Sequence, residues 1–180
     1  MTQVAWSAGP ILSEMNGTRL PHHVRAGVVV LALGALILTG CMDSSEKSAF
    51  TALNAARTST SVKALASNTA LVTKAQGWAQ HLASTSGGQC TSATLSHSNL
   101  ATGAPAGWQK LGENVACRTT NQGEASAIGP IQTQFMNSPG HRANILDPAY
   151  TYGGVGVASV PAAVGGNYIV VFETQEFARL

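Results

Sequence analysis

Apolar residues in the middle of the chain recur at spacings of three and four, which predicts an amphipathic helix. Asn68 or Thr69 can cap its N-terminus. The apolar stripe consists of Leu71, Ala75, Trp78, Ala79 and Leu82. Lys74, Gln76 and Gln80 lie off this stripe, as does His81, for which we expect a solvated surface position. This is the helix that the sequence predicts most clearly, and Trp78 should be buried on its core side.

Two further helices flank this one. The first should open at Phe50 and be broken by the serine-rich residues 59–61. The other should begin near Glu124, with its regular part starting at Pro130, because proline is tolerated in a first helical turn. Its apolar face is formed by Ile128, Ile131 and Phe135. Residues 87–107 are rich in Gly, Ser, Thr and Ala, and only short strand-like pieces are expected there, near Leu95.

The C-terminal third predicts two strands, residues 153–160 and 168–177, joined by a loop rich in Gly and Pro. Both faces of the second strand are apolar at residues 169–172, so we expect it to be covered on both sides. The fold class is therefore α+β, a three-layer α-β-α sandwich with a small, mainly antiparallel central sheet. Gly153, Gly154 and Gly156 indicate a close approach of the strand to a helix, with ligand contact as the lesser alternative.

The N-terminal part has the pattern of an export signal. A basic segment precedes an uninterrupted apolar run from Ala26 to Leu38, which as a helix would rise about 20 Å and is too short to cross a bilayer comfortably. The run ends in Leu38-Thr39-Gly40-Cys41, which resembles the lipobox of bacterial lipoproteins. That resemblance implies cleavage before Cys41 and acylation of its thiol. A plain secretory signal with an incidental cysteine is the alternative.

These features divide the chain into three parts: residues 1–40 as signal peptide, 41–49 as lipidated tether and 50–180 as one domain. Met15 is an alternative start that would leave a more ordinary leader. With Cys41 acylated, Cys90 and Cys117 remain as an even pair in an oxidising compartment, and we expect them to form a disulfide rather than two free thiols. Its loop would contain both His97 and Glu113.

The charge balance excludes one class of partner. Lys and Arg number 10 against 8 Asp and Glu, and charged residues make up 10% of the chain. We find neither a basic stripe nor an aromatic-interleaved basic patch, so no nucleic-acid partner is expected.

Several motifs occur in a specific order. They are Leu53-Asn54-Ala55-Ala56-Arg57, the helix of Trp78, His97-Ser98, Gly112-Glu113-Asn114-Val115-Ala116, Ser138-Pro139-Gly140-His141-Arg142 and Gly153-Gly154-Val155-Gly156-Val157. In this order they resemble the CAP superfamily of cysteine-rich secretory proteins, antigen 5 and plant pathogenesis-related proteins, and its short bacterial branch most closely. The resemblance covers residues 50–177 and implies an α-β-α sandwich with a central cleft (the SCP domain).

Members of this superfamily commonly place two histidines and two glutamates in the cleft. By motif, His97 and His141 match the histidines and Glu113 the first glutamate, whereas the second glutamate falls near Ser138, where no carboxylate is present. Two imidazoles and one carboxylate suit Zn²⁺ with an open position for water, so zinc is the candidate cofactor. The alternative is structural: Glu113 bonds loop amides, and the histidines pack between helix and sheet.

Ser138 precedes His141 by three residues, yet a serine nucleophile is not favoured. Ser138 is followed by proline and is typical of a helix N-cap, and no glycine-flanked elbow surrounds it. Asp147 before Pro148 should end the short helix. Arg142 is a candidate for contacting an anionic ligand, with packing on the helix surface as the alternative. The predicted ligand cleft therefore comprises His97, Glu113, Ser138, His141 and Arg142, and no residue is assigned as catalytic.

The sequence thus predicts a lipoprotein anchored through Cys41 on the outer face of the bacterial cytoplasmic membrane or in the cell envelope. We expect a non-catalytic module that binds a small ligand, lipid or glycan in the cleft. One alternative is a metal-dependent hydrolase that uses His97, Glu113 and His141. Another is a structural domain that only holds partners at the membrane.

Overall fold

A computed structural model describes residues 41–180, all of which lie in one compact unit. The predicted signal peptide, including the apolar run and Met15, lies outside these residues. The elements in chain order are α1 (Ser44–Ser59), β1 (Ala66–Ser67), α2 (Thr69–Thr85), a 3₁₀ turn (Ser92–Thr94), β2 (Lys110–Thr120), α3 (Ala125–Asn137), α4 (Pro139–Leu146), β3 (Tyr152–Pro161) and β4 (Ile169–Arg179). Within residues 41–180, no helix has both the length and the apolar character that crossing a bilayer requires.

The four strands form one sheet in the order β1-β3-β4-β2. β4 pairs antiparallel with both β2 and β3, whereas the two-residue β1 pairs parallel with β3. Helix α2 packs on one face of the sheet, and α1 and α3 pack on the other. The predicted three-layer α-β-α sandwich with a mainly antiparallel sheet is confirmed.

Two apolar cores fill the spaces between the layers. The core under α1 and α3 contains Leu53, Ile131, Phe135 and Phe177, and the core under α2 contains Leu82, Val115 and Phe172. Because side chains alternate along a strand, β4 contributes to both cores, which explains why its sequence is apolar on both faces.

The contact between α2 and β3 depends on two glycines. A Cβ atom at Gly154 would overlap the backbone of Leu71, and one at Gly156 would overlap the backbone of Ala75. The expected close approach of strand to helix is therefore confirmed, and it lets the helix lie directly on the sheet.

Helix α1 begins earlier than predicted. It starts at Ser44 rather than Phe50, because Asp43 and Glu46 form a capping box in which each side chain bonds the other's backbone amide. Glu46 and Ala49 are buried, so residues 44–49 belong to the folded domain and not to a tether. Only Met42 and Asp43 separate Cys41 from the helix.

Two other expectations also need correction. Helix α3 is regular from Ala125, five residues before Pro130, so proline lies inside the helix instead of opening its regular part. The segment near Leu95 contains a 3₁₀ turn and no strand. The long strand β2 was not predicted, because Gly112 and a run of polar residues obscure its period of two.

Candidate functional site

Glu113 is the centre of the site. It lies in β2 opposite Glu176 of β4, and both side chains point to the face covered by α2. The sequence did not predict Glu176 as a site residue. Two acids therefore lie next to each other on adjacent strands, in a nearly dry environment.

Oε1 of Glu113 binds the loop that carries His97 and Ser98. It accepts hydrogen bonds from the backbone amide of Ser98 at 2.9 Å and from His97 Nδ1 at 2.7 Å. The imidazole is fixed by this bond, yet the side chain of His97 remains 60% exposed. With Nδ1 as the donor, Nε2 is left available to a ligand.

Lys74 of α2 provides a positive charge beside the carboxyl groups of Glu113 and Glu176. Its side chain is 6% exposed, and its ammonium contacts Glu176 Oε1 and Ser98 Oγ and lies 3.7 Å from Glu113 Oε2. Lys74 was only noted as off the apolar stripe of α2, and its role in the site was missed. The ammonium ties the helix, the loop and both strands together.

If both carboxyl groups were ionised, the single ammonium of Lys74 would leave one excess negative charge in the cluster. Burial raises the pKa of Glu176 to about 8, although Lys74 acts against this shift. Burial also acts to raise the pKa of Glu113, but hydrogen bonds with Ser98, Glu176 and His97 outweigh it, so the pKa lies below its usual value. At neutral pH, Glu113 is therefore ionised and Glu176 mostly retains its proton.

A second polar network lies on the opposite face of the sheet. Asn144 of α4 donates to Glu113 O at 3.2 Å and to Asn114 Oδ1 at 2.9 Å. Asn114 in turn donates to His141 O and to Gln175 Oε1, both at 3.1 Å. Asn144 therefore satisfies a backbone carbonyl of β2, and through Asn114 it also fastens α4 to the edge of the sheet.

The buried Nδ1 of His141 is hydrogen-bonded to neither of these acids. Its ring packs edge-on against Phe135, with centroids 5.1 Å apart, and its buried Nδ1 has no hydrogen-bond partner among residues 41–180. Burial and the neighbouring His97 lower the pKa of His141, so it is neutral at neutral pH. The structure therefore joins His97 to Glu113 and places His141 on the α3 side of β2.

Ser138 and Arg142 lie on the same helix as His141. Ser138 occupies the N-cap of α4 and Pro139 its first turn, as predicted, although the serine hydroxyl makes no capping hydrogen bond. Asp147 ends the helix, also as predicted. Arg142 is exposed.

Two neighbouring cavities open beside the site. One of about 440 Å³, called the cleft below, is lined by His97, Ser98, Leu100, Leu111, Gly112, Glu113 and Asn144. The other, of about 580 Å³ and mostly apolar, follows α2 and includes Lys74, Gly77, Trp78 and Ser98 in its lining.

Trp78 is half-buried here rather than fully buried, and its indole donates to Ser96 O at 2.9 Å. Ser98 belongs to both walls, whereas His141, Ser138 and Arg142 are not among the residues that line the cleft.

The site does not have the ligand geometry of a zinc centre. In the part of the chain that the structure describes, no group of three or more His, Cys, Asp and Glu side chains is placed to hold a metal ion. His97 Nδ1 and Glu113 Oε1 are bonded to each other, and His141 Nδ1 is enclosed beside Phe135. These residues as placed do not fit Zn²⁺, and we derive no chemistry through it.

The predicted disulfide is present. Cys90 and Cys117 are joined, with their Cα atoms 5.7 Å apart, and the bridge closes the segment that carries His97 and Glu113. Cys41 is exposed and makes no disulfide.

Arg57 stabilises the helix that borders the site, and the sequence did not predict this role. This fully buried residue of α1 donates to Lys63 O at 2.8 Å, Ile145 O at 2.6 Å, Asp147 O at 3.1 Å and Tyr150 O at 3.1 Å. It thereby fixes the end of α4, the helix that carries His141 and Asn144. The polar run Glu173-Thr174-Gln175-Glu176 in an otherwise apolar strand was the sequence signal that could have revealed the buried networks.

Comparison with known proteins agrees with this architecture. An extracellular protein containing a SCP domain from Bacillus anthracis strain Ames shares 25% identity with a TM-score of 0.53, and the match covers 76% of this chain and 40% of that protein. The chain thus spans about two fifths of the length of that relative. An outer surface protein from Borrelia burgdorferi superposes with a TM-score of 0.52 at 14% identity, covering 77% of this chain and 96% of that one. No curated protein sequence matches the chain.

The sequence profile of the family described as CAP, the Cysteine-rich secretory protein family, matches residues 50–173. This is most of the chain and includes every motif from Leu53 to Val157 on which the resemblance was based. The chain therefore belongs to the CAP family.

Proposed function

We propose that this protein is an extracytoplasmic lipoprotein, anchored through Cys41, whose CAP domain binds a small ligand, a lipid or a glycan in the cleft without catalysing a reaction. The observation that carries the proposal is the state of the acid in the cleft. Both neighbours of Glu113 Oε1 are protein groups, and the ammonium of Lys74 lies beside Oε2. An acid held in this way positions His97 and the loop, and is poorly placed to attack a substrate.

The lining of the cleft fits a binding role. His97 and Asn144 offer polar contacts, while Leu100 and Leu111 offer apolar ones. The larger apolar cavity adjoins at Ser98, so a molecule with a polar head and an apolar chain would fit both spaces. For this reason a lipid comes first among the three ligand classes.

Two observations support the location. The Cys90–Cys117 disulfide is typical of oxidising compartments, and the Bacillus relative is described as extracellular. Attachment to a membrane rests on the lipobox-like residues 38–41. Mass spectrometry of the N-terminal peptide from membrane fractions tests it: a diacylglyceryl-modified Cys41 is expected. Release of a Cys41→Ala variant into the soluble fraction would agree, and unchanged membrane retention would contradict the anchor.

Calorimetric titration of the full chain tests ligand binding. The probes are short-chain phosphatidylglycerol for lipids and N-acetylglucosamine oligomers for glycans. We expect saturable binding of one probe, weakened at least about tenfold by His97→Ala or Leu100→Ser, which corresponds to about 1.4 kcal/mol. Gln80→Ala is the control, since Gln80 is an exposed residue of α2 that lines neither cavity. Absence of binding to both probes, or equal binding by the cleft variants, would contradict the proposal.

A further inference from the structure

Three segments at one end of the domain contain no charged side chains. The loop between β3 and β4, the loop after β2 and the segment after α2 all lie there, since Pro161 pairs with Ile169, Ile169 pairs with Thr120, and Ala163 N donates to Gly88 O at 2.7 Å. Residues 84–90, 119–123 and 158–172 contain no Asp, Glu, Lys or Arg. We refer to this region as the hairpin end.

Apolar side chains are exposed at the hairpin end. Val164, at the tip between β3 and β4, is 72% exposed, and Tyr168 is 42% exposed. Gly165 and Gly166 follow Val164 with positive φ angles of 76° and 66°, which gives the tip a tight turn. An exposed valine and an exposed tyrosine in one loop suit the boundary between water and hydrocarbon. The tyrosine ring is apolar, whereas its hydroxyl group can remain hydrated.

The N-terminus of α1 points to the same end. Along this helix, Glu46 lies beside the backbone amide of Val157, whereas Arg57 bonds Tyr150 O just before β3. The helix therefore runs antiparallel to β3, and its first residues lie towards the hairpin. Cys41 precedes the helix by three residues, a link of at most about 11 Å.

From these placements we propose that the hairpin end is a membrane-contacting surface, on which Val164 and Tyr168 enter the interface of the bilayer that holds the acyl chains of Cys41. This inference rests on the proposed lipidation. The short link keeps the N-terminus of α1 at the bilayer surface and thereby brings the tip within reach of it. A second apolar contact complements the acyl chains and fixes the orientation of the domain.

The cleft then faces away from the membrane. From Ile169 at the hairpin to Glu176 beside the cleft, seven strand residues span about 23 Å.

The opposite end exposes Leu100, Trp108 and Leu180 among cationic residues, and it is the rival surface for a bilayer. Helix α1 alone is about 24 Å long, so the link from Cys41 is too short for that end to rest on the membrane while the domain stands upright.

Depth-dependent quenching of a fluorophore tests the orientation. The full chain is produced in a bacterium that processes lipoproteins and is reconstituted in vesicles of phosphatidylethanolamine and phosphatidylglycerol that contain spin-labelled lipid. Val164→Cys and Tyr168→Cys place a bimane dye at the hairpin end, and Leu100→Cys places it at the rival end. With Cys41 acylated and Cys90 bonded to Cys117, the introduced cysteine is the only free thiol among residues 41–180, so the dye labels that position alone.

We expect spin-labelled lipid to quench the dye at 164 and 168 several times more strongly than at 100, and iodide in the water to show the reverse order. Equal quenching at all three positions, or stronger quenching at 100, would overturn the membrane-contacting surface while the anchor stands. Labelling of the unsubstituted chain separates the two claims: dye on Cys41 would show that the lipid is absent, and the failure would then lie in the proposed anchor.

Discussion

Glu113 and Glu176 face each other across β2 and β4, and Lys74 reaches both carboxyl groups from α2. This arrangement explains how two acids remain buried on neighbouring strands, where like charges would repel each other. It also explains the position of His97, because the ionised Glu113, with Lys74 beside its Oε2, accepts hydrogen bonds from both His97 and the amide of Ser98. The geometry of the cleft therefore depends on a lysine outside its lining.

Replacing Lys74 with methionine should destabilise the fold. Two buried carboxyl groups would lose their only close cation among residues 41–180, and removal of one partner from a buried ionic cluster costs about 3–5 kcal/mol. Urea denaturation at neutral pH measures the change in the free energy of unfolding. Lys63→Met is the control: this lysine is exposed, and we expect a change below about 0.5 kcal/mol.

A double variant separates charge from packing. Lys74→Met combined with Glu176→Gln removes one acid with the cation, and we expect part of the lost stability to return. If the double variant is no more stable than Lys74→Met alone, the ion cluster is not the reason for the effect.

Gly156 should not tolerate a methyl group. A Cβ atom there would overlap the backbone of Ala75, so Gly156→Ala must push α2 away from the sheet at a cost of about 2–3 kcal/mol or more. Gly77→Ala is the matched substitution, because no atom lies within 4 Å of its added Cβ and helix α2 should gain up to about 1 kcal/mol. Thermal denaturation of both variants checks the prediction. Similar melting temperatures would contradict the close approach of α2 to β3.

Arg57 should be irreplaceable by lysine. A lysine ammonium lacks the planar fork that bonds four carbonyl groups, one in the loop after α1 and three in the last turn of α4 and the segment after it, so we expect Arg57→Lys to lose about 2–4 kcal/mol. Hydrogen exchange should increase at residues 145–150, whose carbonyls lose their donor. Arg142→Lys is the control, since Arg142 is exposed on α4. Unchanged exchange at residues 145–150 in Arg57→Lys would show that another contact holds this segment.

The sequence was sufficient for the layers of the fold but not for the whole site. The apolar stripe of α2 and the doubly apolar β4 follow from local periodicity, and Gly154 and Gly156 signalled where these elements touch. Lys74 and Arg57 were missed because their burial depends largely on partners far along the chain, such as Glu176, 102 positions from Lys74, and Tyr150, 93 positions from Arg57. Periodicity places a charged side chain on a helix face, but only the assembled sheet shows that the face meets acids or carbonyl groups.

Glu173 should make the stability of the domain depend on pH. It is fully buried in β4, with Gln175 Nε2 at 2.9 Å from Oε1, and burial raises its pKa from 4.5 to about 7. The folded state thus retains a proton that the unfolded chain releases. Its contribution to stability is present in full below about pH 4.5 and is lost as the pH rises through 7, a change of about 3 kcal/mol.

In Glu173→Gln this dependence should disappear. The free energy of unfolding of the wild type should decrease from pH 5 to pH 8, while the difference between the two proteins should shift by about 3 kcal/mol in favour of the variant. Burial also raises the pKa of Glu46 and Glu176, so the wild-type slope alone does not identify Glu173. Glu173 is identified by the difference between the unfolding free energies of the two proteins, measured by urea denaturation at each pH. If the two proteins lose stability in parallel between pH 5 and pH 8, Glu173 is ionised in the folded state.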